Sequence, residues 1–283
     1  MVNVGVHVSI AGSIALSVGR AKEAGCDTFQ IFSRNPRGWG FRDLNPDEAA
    51  AFRDNVRISG LSPPVDHMPY LPNLATGNRD VYDKSVAALS AELSRCSILG
   101  IPYLVTHLGH HKGEGMTKAR VQVITAINDC LSETEEGVML LLENTAGEKN
   151  AVGSSFEDIT AVLDCIEKKD RVGVCLDTCH AFGAGYDLST EHGLEFTLTS
   201  FDDLIGLWRC RLIHLNDSRG QLGKGLDRHE HIGMGNIGEN GFVRILSNEF
   251  FRSRPLICET PVDERRNDSA NILKVRELAE RML

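Results

Sequence analysis

The sequence predicts an α/β fold, a single (β/α)8 TIM barrel over residues 1–283 with its active site at the C-terminal face of the strands. Three observations carry that expectation. Short apolar runs alternate with amphipathic stretches along the whole chain. There are eight of each kind, which is the number a closed barrel needs. No Pro-, Gly- or Ser-rich linker and no charge block divides the 283 residues. A doubly wound open sheet is the lesser alternative.

Taken in order, the first strand is Val4–Val8, followed by helical periodicity over 13–24. Thr28–Phe32 is the second strand. The helix after it, 46–59, opens with Asn45 and with Pro46 at a first-turn position. Pro64–Asp66, the third strand, is the weakest, because Pro63 and Pro64 fit a central strand poorly. Helix 79–98 leads to Tyr103–Thr106, and helix 117–131 to Met139–Leu142. The helix at 155–168 has Ser155 ahead of Glu157 and Asp158, charges that suit a helix N-terminus, and precedes Val172–Leu176. Helices at 198–209 and 239–249 lead to Arg211–Ile213 and Leu256–Cys258, and a last helix covers 267–282.

Apolar types at 42% and charged types at 24% are ordinary globular usage, which sets disorder and fibrous repeats aside. Apolar runs such as Val138–Leu142 fall far short of the ~18 residues of a membrane span. The opening residues 1–9 lack the basic-then-apolar pattern of a secretory signal, so the expected location is cytoplasmic, with no membrane partner. Most of the eight cysteines, which form no C-x-x-C pair, read as buried thiols. A net charge of −9 argues against gripping nucleic acid through an extended basic surface.

The residues just past each strand are more informative. His67 comes after the third, His107 after the fourth, Glu143 after the fifth, Asp177 with His180 after the sixth, His214 after the seventh and Glu259 after the eighth. A barrel brings these strand ends to one mouth. The long segment after strand seven adds Asp227 and His229, an Asp-x-His pair able to face one ion. Taken singly, each is as well explained as a cap or a satisfied core group. Jointly, imidazoles and carboxylates in this number suit zinc and related divalent ions. Nine ligands exceed the four of a tetrahedral site, so the cluster implies two or three ions sharing a carboxylate. Such sites clamp both the attacking and the leaving oxygen of a phosphoryl displacement.

Four runs carry a family likeness. These are Cys175–Asp187 (CLDTCHAFGAGYD), His214–Arg219 (HLNDSR) running into Asp227–His229, Glu143–Gly147 (ENTAG) and Gly5–Gly12 (GVHVSIAG). Together they resemble the endonuclease IV family of apurinic/apyrimidinic endonucleases, over essentially the whole chain. The resemblance implies three divalent ions, usually zinc, with manganese in part. It places His67 and His107 on the first ion, with Glu143 bridging to the second. Asp177, His214 and Glu259 complete the second, and His180, Asp227 and His229 hold the third.

The implied reaction is DNA-repair hydrolysis of the phosphodiester 5′ to an abasic site, leaving a 3′-hydroxyl and a 5′-deoxyribose phosphate, and removal of 3′-blocking groups. Its implied route is in-line attack by hydroxide, with Glu259 and Glu143 as catalytic residues. The implied partner is double-stranded DNA carrying abasic or 3′-blocked sites, and the default state is a monomer. Arg37 and Tyr70 match positions that enter the DNA. Alone, the segment from Arg34 to Trp39 reads as a solvated turn, and Tyr70 is equally ambiguous, so both assignments rest on the resemblance.

His110, Lys224 and Met234 depart from the common family pattern, and none is an expected ligand. Cys175 and Cys179 read as packing residues. The rival reading is a divalent-metal sugar isomerase or epimerase of the same barrel class, which would need only Glu143, Asp177, His214 and Glu259. A one-ion isomerase has no use for His180, Asp227 and His229. Three divalent ions would also bring the four ligand carboxylates from −4 to +2 and the chain from −9 to −3, so an acidic body can present a positive mouth.

Overall fold

Eight strands of three to six residues alternate with helices in a computed structural model that describes residues 1–40 and 42–281. The barrel strands are β1 (Val4–Val6), β2 (Phe29–Ile31), β3 (Pro64–His67), β4 (Tyr103–His107), β5 (Met139–Glu143), β6 (Val172–Asp177), β7 (Cys210–His214) and β10 (Leu256–Cys258). Between β7 and β10, β8 (Asp217–Ser218) and β9 (His229–Glu230) form a separate antiparallel ribbon. All barrel neighbours are parallel, in the order β1-β10-β7-β6-β5-β4-β3-β2. A parallel bridge between His7 and Gln30, with Val8 N–H donating to the Gln30 carbonyl at 2.8 Å, brings β1 to β2 and closes the ring.

That seam requires a glycine. A Cβ at Gly5 would lie 1.7 Å from the carbonyl oxygen of Thr28, so any side chain there would force the two strands apart. Pro64 is accommodated differently from a mid-strand proline. It occupies the first position of β3, opposite Phe29, where its missing N–H costs the ladder least.

The helices are α1 (Leu16–Ala24), α2 (Pro46–Ser59), α3 (Arg79–Leu99), α4 (Met116–Glu133), α5 (Phe156–Leu163), α6 (Thr178–Ala184), α7 (Glu191–Leu204), α8 (Gly238–Ser247), α9 (Glu249–Arg252) and α10 (Asp268–Glu280). Asn45 caps α2, its side chain accepting from Asp47 and Glu48 N–H, and Ser155 caps α5 by accepting from Asp158 N–H. The sequence reading does not include α6, and three of its helices differ markedly in bounds or continuity. The one expected at 198–209 begins at Glu191, because Thr190 caps it through Gly193 N–H, and its end is set by Gly206 at φ 90° ahead of a 3-10 turn. α5 stops at Leu163, where the bonds tighten to the i→i+3 pattern at Cys165 and Ile166. The helix expected at 239–249 breaks at Asn248, which is extended and caps α9 through Phe250 N–H.

Strand alternation divides the apolar residues into two cores. One set, including Phe29, Leu104, Leu142, Leu176 and Leu256, packs against helix residues such as Phe52, Leu89, Phe156 and Phe201. The other fills the barrel lumen with Val65, Val105, Leu141, Cys175, Leu212 and Ile257, all essentially inaccessible. Among the described residues no helix is long and apolar enough to cross a membrane. Gly5→Ala should lower stability by about 3 kcal/mol, the upper end for overpacking. A denaturant midpoint unchanged from wild type would contradict the account of the seam.

Candidate metal centre

Side chains repeat every second residue on one face of a strand, so the position two beyond each lumen residue also faces the barrel axis. Those positions are His67, His107, Glu143, Asp177, His214 and Glu259. Below them the lumen is apolar. At the mouth it becomes a layer of imidazoles and carboxylates, and His7 and Gln30 join it at the seam.

Two further elements complete the cluster. Asp177 ends β6 and caps α6, its Oδ1 accepting from His180 N–H at 2.8 Å, so the cap that starts the helix also aims His180 inward. The β8–β9 ribbon carries Asp227 and His229 back over the mouth, and His229 Nδ1 lies 3.0 Å from the Glu259 carbonyl.

The nine residues fall in five overlapping groups, one of them His67, His214 and Glu259 and another Asp177 and His229 with Cys179; the other three between them include all nine. Of these three sets, His67, His107 and Glu143 form one; Glu143, Asp177, His214 and Glu259 a second; His180, Asp227 and His229 a third. Within each set the potential ligand atoms lie within 4.8 Å of one another, and Glu143 belongs to two sets. Glu143 Oε2 is 3.1 Å from His67 Nε2 and 3.2 Å from His107 Nε2, while its Oε1 is 2.8 Å from His214 Nδ1. His214 Nδ1 is also 3.3 Å from Glu259 Oε2, and His180 Nε2 is 3.2 Å from Asp227 Oδ1.

The surrounding hydrogen bonds fit metal ligation. Nδ1–H of His67, His180 and His229 faces the carbonyls of Met68, Asn144 and Glu259 at 2.7, 2.9 and 3.0 Å, a pairing that selects Nε2 as the free lone pair. His214 is reversed: its Nε2 faces Gln30 Oε1 at 2.9 Å, leaving Nδ1 for the cluster. His229 Nε2 is buried without a hydrogen-bond partner, 3.6 Å from both Asp177 and Asp227. An orphaned buried nitrogen between two carboxylates is what a cation would satisfy. Asn216 braces the group, donating to Asp177 Oδ2 at 2.7 Å and accepting from Glu259 N–H at 2.8 Å.

Electrostatics in the metal-free chain follow from this packing. Burial alone would raise Glu143, yet His107 and His214 and the hydrogen bonds it accepts hold it well below the usual carboxylate range. Glu259 is similarly held at about 2 against burial, chiefly by His214 and His67, and Asp227 at about 2 by His180. Burial opposes a charge on His180, but Asp177, Asp227 and Glu143 raise it well above its ordinary value. His214 is also raised, against burial, by Cys175, Glu259 and Glu143. Burial dominates at His7, lowered to about 4, and at His107.

A cavity of about 600 Å³ opens above the cluster, walled in part by Phe32, Tyr70, Arg219, Arg228 and Val262. Tyr70 is 74% exposed with its ring edge-on to Phe32 at 5.2 Å. Arg37 is exposed on the loop after β2 and does not line the cavity. Cys175 is a lumen residue, as its sequence setting suggests. Cys179 comes within reach of Asp177 and His229, but burial pushes its thiol up to about 12. Met234 and Lys224 are exposed, and His110 is half-buried with its backbone held by Asn73. Gln30 was not anticipated: it is an amide inside a strand, and a search for His, Asp or Glu after strand ends passes over it. Its position two residues after buried Thr28 was the available signal.

Residues 18–282 match the Xylose isomerase-like TIM barrel family. The chain is 62% identical over 280 residues, 99% of each chain, to "Probable endonuclease 4" of Methanoculleus marisnigri. It belongs to the endonuclease IV family. The solved structure of endonuclease IV from Thermus thermophilus superposes with a TM-score of 0.87 at 36% identity, covering 98% of this chain and 99% of that one. A D-tagatose 3-epimerase-like protein shares the fold at TM-score 0.74 and 20% identity, covering 98% of each chain. Membership of the endonuclease IV family makes this chain a metal-dependent endonuclease.

The residues behind the candidate ligands set their aim. Asn216→Ala should weaken divalent-metal affinity by about 10–100-fold in chelator competition. Wild-type affinity in that variant would remove the bracing role. His180 and His214, both raised above the ordinary histidine range by the groups around them, would as candidate ligands have to give up a proton to a metal ion. Metal affinity should therefore rise with pH through and above that range, with net proton release in calorimetry run in two buffers; pH-independent uptake would contradict the charge assignment.

Proposed function

We propose that this enzyme hydrolyses the phosphodiester on the 5′ side of abasic sites in double-stranded DNA, leaving a 3′-hydroxyl and a 5′-deoxyribose phosphate, and removes 3′-blocking groups from DNA. The observation that carries the reading is the third ligand set, His180, Asp227 and His229, joined to two sets that share Glu143. A sugar isomerase working with one ion would be served by Glu143, Asp177, His214 and Glu259 and has no use for the other trio.

On this reading three divalent ions are held. His67, His107 and Glu143 hold the first, Glu143, Asp177, His214 and Glu259 the second, and His180, Asp227 and His229 the third. Nitrogen and oxygen donors of this kind favour zinc, with manganese in part. When bound, such ions supply Lewis acidity, which makes water a usable nucleophile near neutral pH and neutralises charge on phosphoryl oxygens.

The chain's own residues do the rest. Gln30 donates to Glu259 Oε1 at 2.7 Å and accepts from His214, so the Glu259 carboxylate is held at the cavity edge in one orientation from which it can align the attacking group. Arg219 and Arg228, exposed on the segment that covers the mouth, are placed to meet backbone phosphates. Tyr70, standing out from Phe32, has an exposed aromatic face suited to stacking in the gap left by a displaced nucleotide, and Arg37 offers a second DNA contact. The working form is a cytoplasmic monomer.

Incubation of metal-loaded enzyme with a duplex bearing one abasic-site analogue should give scission 5′ to the lesion; no cleavage with Zn²⁺, Mn²⁺ or Co²⁺ would sink the proposal. Glu259→Gln should abolish cleavage while largely sparing DNA binding. Elemental analysis should find three divalent ions per chain, and a single ion would favour the isomerase reading.

A further inference from the structure

Outside the metal cavity, behind β2 and β3, four ionisable side chains are buried together, and burial with the neighbouring Glu92 pushes the Asp66 carboxyl well above the usual range. Asp66 and Glu92 are fully buried, and Arg34 and Arg95 are 4% and 8% exposed. As a source of stability alone, a buried ionic group of this kind is replaceable by well-packed apolar residues. What these groups add here is a set of hydrogen bonds to a segment whose described residues form neither helix nor strand.

That segment, 33–42, is the loop that carries Arg37. Glu92, on α3, accepts from Arg34 Nε and from the Ser33 hydroxyl. Arg95, one turn further along the same helix, donates to the Ser33 hydroxyl at 2.8 Å, to the Ser33 carbonyl and, at 2.9 Å, to the carbonyl of Arg42. Arg34 reaches across the loop to the carbonyls of Gly38 at 3.2 Å and Trp39 at 3.4 Å. The first residue of the loop, its middle and its far end are thus tied to one helix. Asp66 adds a link to the metal centre, because its Oδ1 accepts from Ser33 N–H at 2.8 Å and from His67 N–H at 3.0 Å.

We infer that Glu92 and Arg95 are positioning residues for the DNA-contacting loop, setting where Arg37 stands relative to the ligand His67. The inference rests on the proposal that Arg37 meets DNA. Neither residue touches the cavity or its ligands, and both act through Ser33, Arg34 and Arg42. A guanidinium fork is suited to this task, since it ties two carbonyls and a hydroxyl with fixed geometry where an ammonium would reach only a point.

The test uses full-length, metal-loaded enzyme in a Trp208→Phe background, which leaves Trp39 as the sole indole. Arg95→Met and Ser33→Ala should raise acrylamide quenching of Trp39 without DNA. They should also raise KM for an abasic duplex about tenfold, equivalent to about 1.4 kcal/mol, with kcat and metal content close to wild type. Arg95→Lys should recover only part of the loss. Ser33→Ala removes a single hydroxyl and serves where Arg95→Met does not fold. A lower unfolding midpoint with unchanged quenching and KM would reduce the quartet to a structural brace and overturn the inference, as would a fall in kcat accompanied by metal loss. Should the wild-type chain fail to cut abasic DNA, the functional proposal fails, and Trp39 quenching still decides whether the loop is clamped.

Discussion

A carboxylate with no exposure cannot remain ionised inside a protein without opposite charge close by. Glu143 is such a group, and the mouth of the barrel is arranged around it. Its two oxygens face His67, His107, His180 and His214 at 2.8–3.4 Å, and those rings arrive from β3, β4, α6 and β7. Three of these rings are then fixed from behind, by contacts to backbone carbonyls or to Gln30. The packing that makes one buried anion tolerable also creates the sites where cations fit, so folding and metal binding draw on one set of contacts.

Much of this was legible in the chain. The eight strand positions follow from apolar runs, and the gathering of imidazoles and carboxylates at the mouth from the observation that six of them end in His, Asp or Glu. Less visible were features set by contacts between distant segments. The start of α7 depends on the Thr190 cap, and the break at Asn248 on a side chain turning back to Phe250; a periodicity argument sees neither. Gln30 escaped because its role is defined by partners about 180 and 230 residues away in sequence, His214 and Glu259. The Ser33–Arg34–Glu92–Arg95 group escaped for the same reason: on α3, two buried charged residues look like any solvated helix face until the loop that lies over them is known.

The barrel is shared with a sugar epimerase-like protein, so the scaffold does not decide the chemistry. Short segments beyond the ring bring further side chains to the mouth. α6 turns His180 inward, the β8–β9 ribbon delivers Asp227 and His229, and the loop after β2 extends outward with Arg37. Each is positioned by a neighbour in the ring: Asp177 caps α6, the Glu259 carbonyl receives His229, and α3 holds the β2 loop.

Ladder pairing between β1 and β2 is a single bridge, with one further main-chain bond from Asp27 N–H to the Val4 carbonyl at 2.8 Å, whereas the other neighbouring strands share runs of two to five paired residues. Gln30 compensates from within the lumen, since its side chain meets His7, His214 and Glu259, groups arriving from either side of the join. The ring is therefore fastened at its most thinly paired join by members of the candidate metal cluster, so closure of the barrel and the arrangement of that cluster rest on the same contacts.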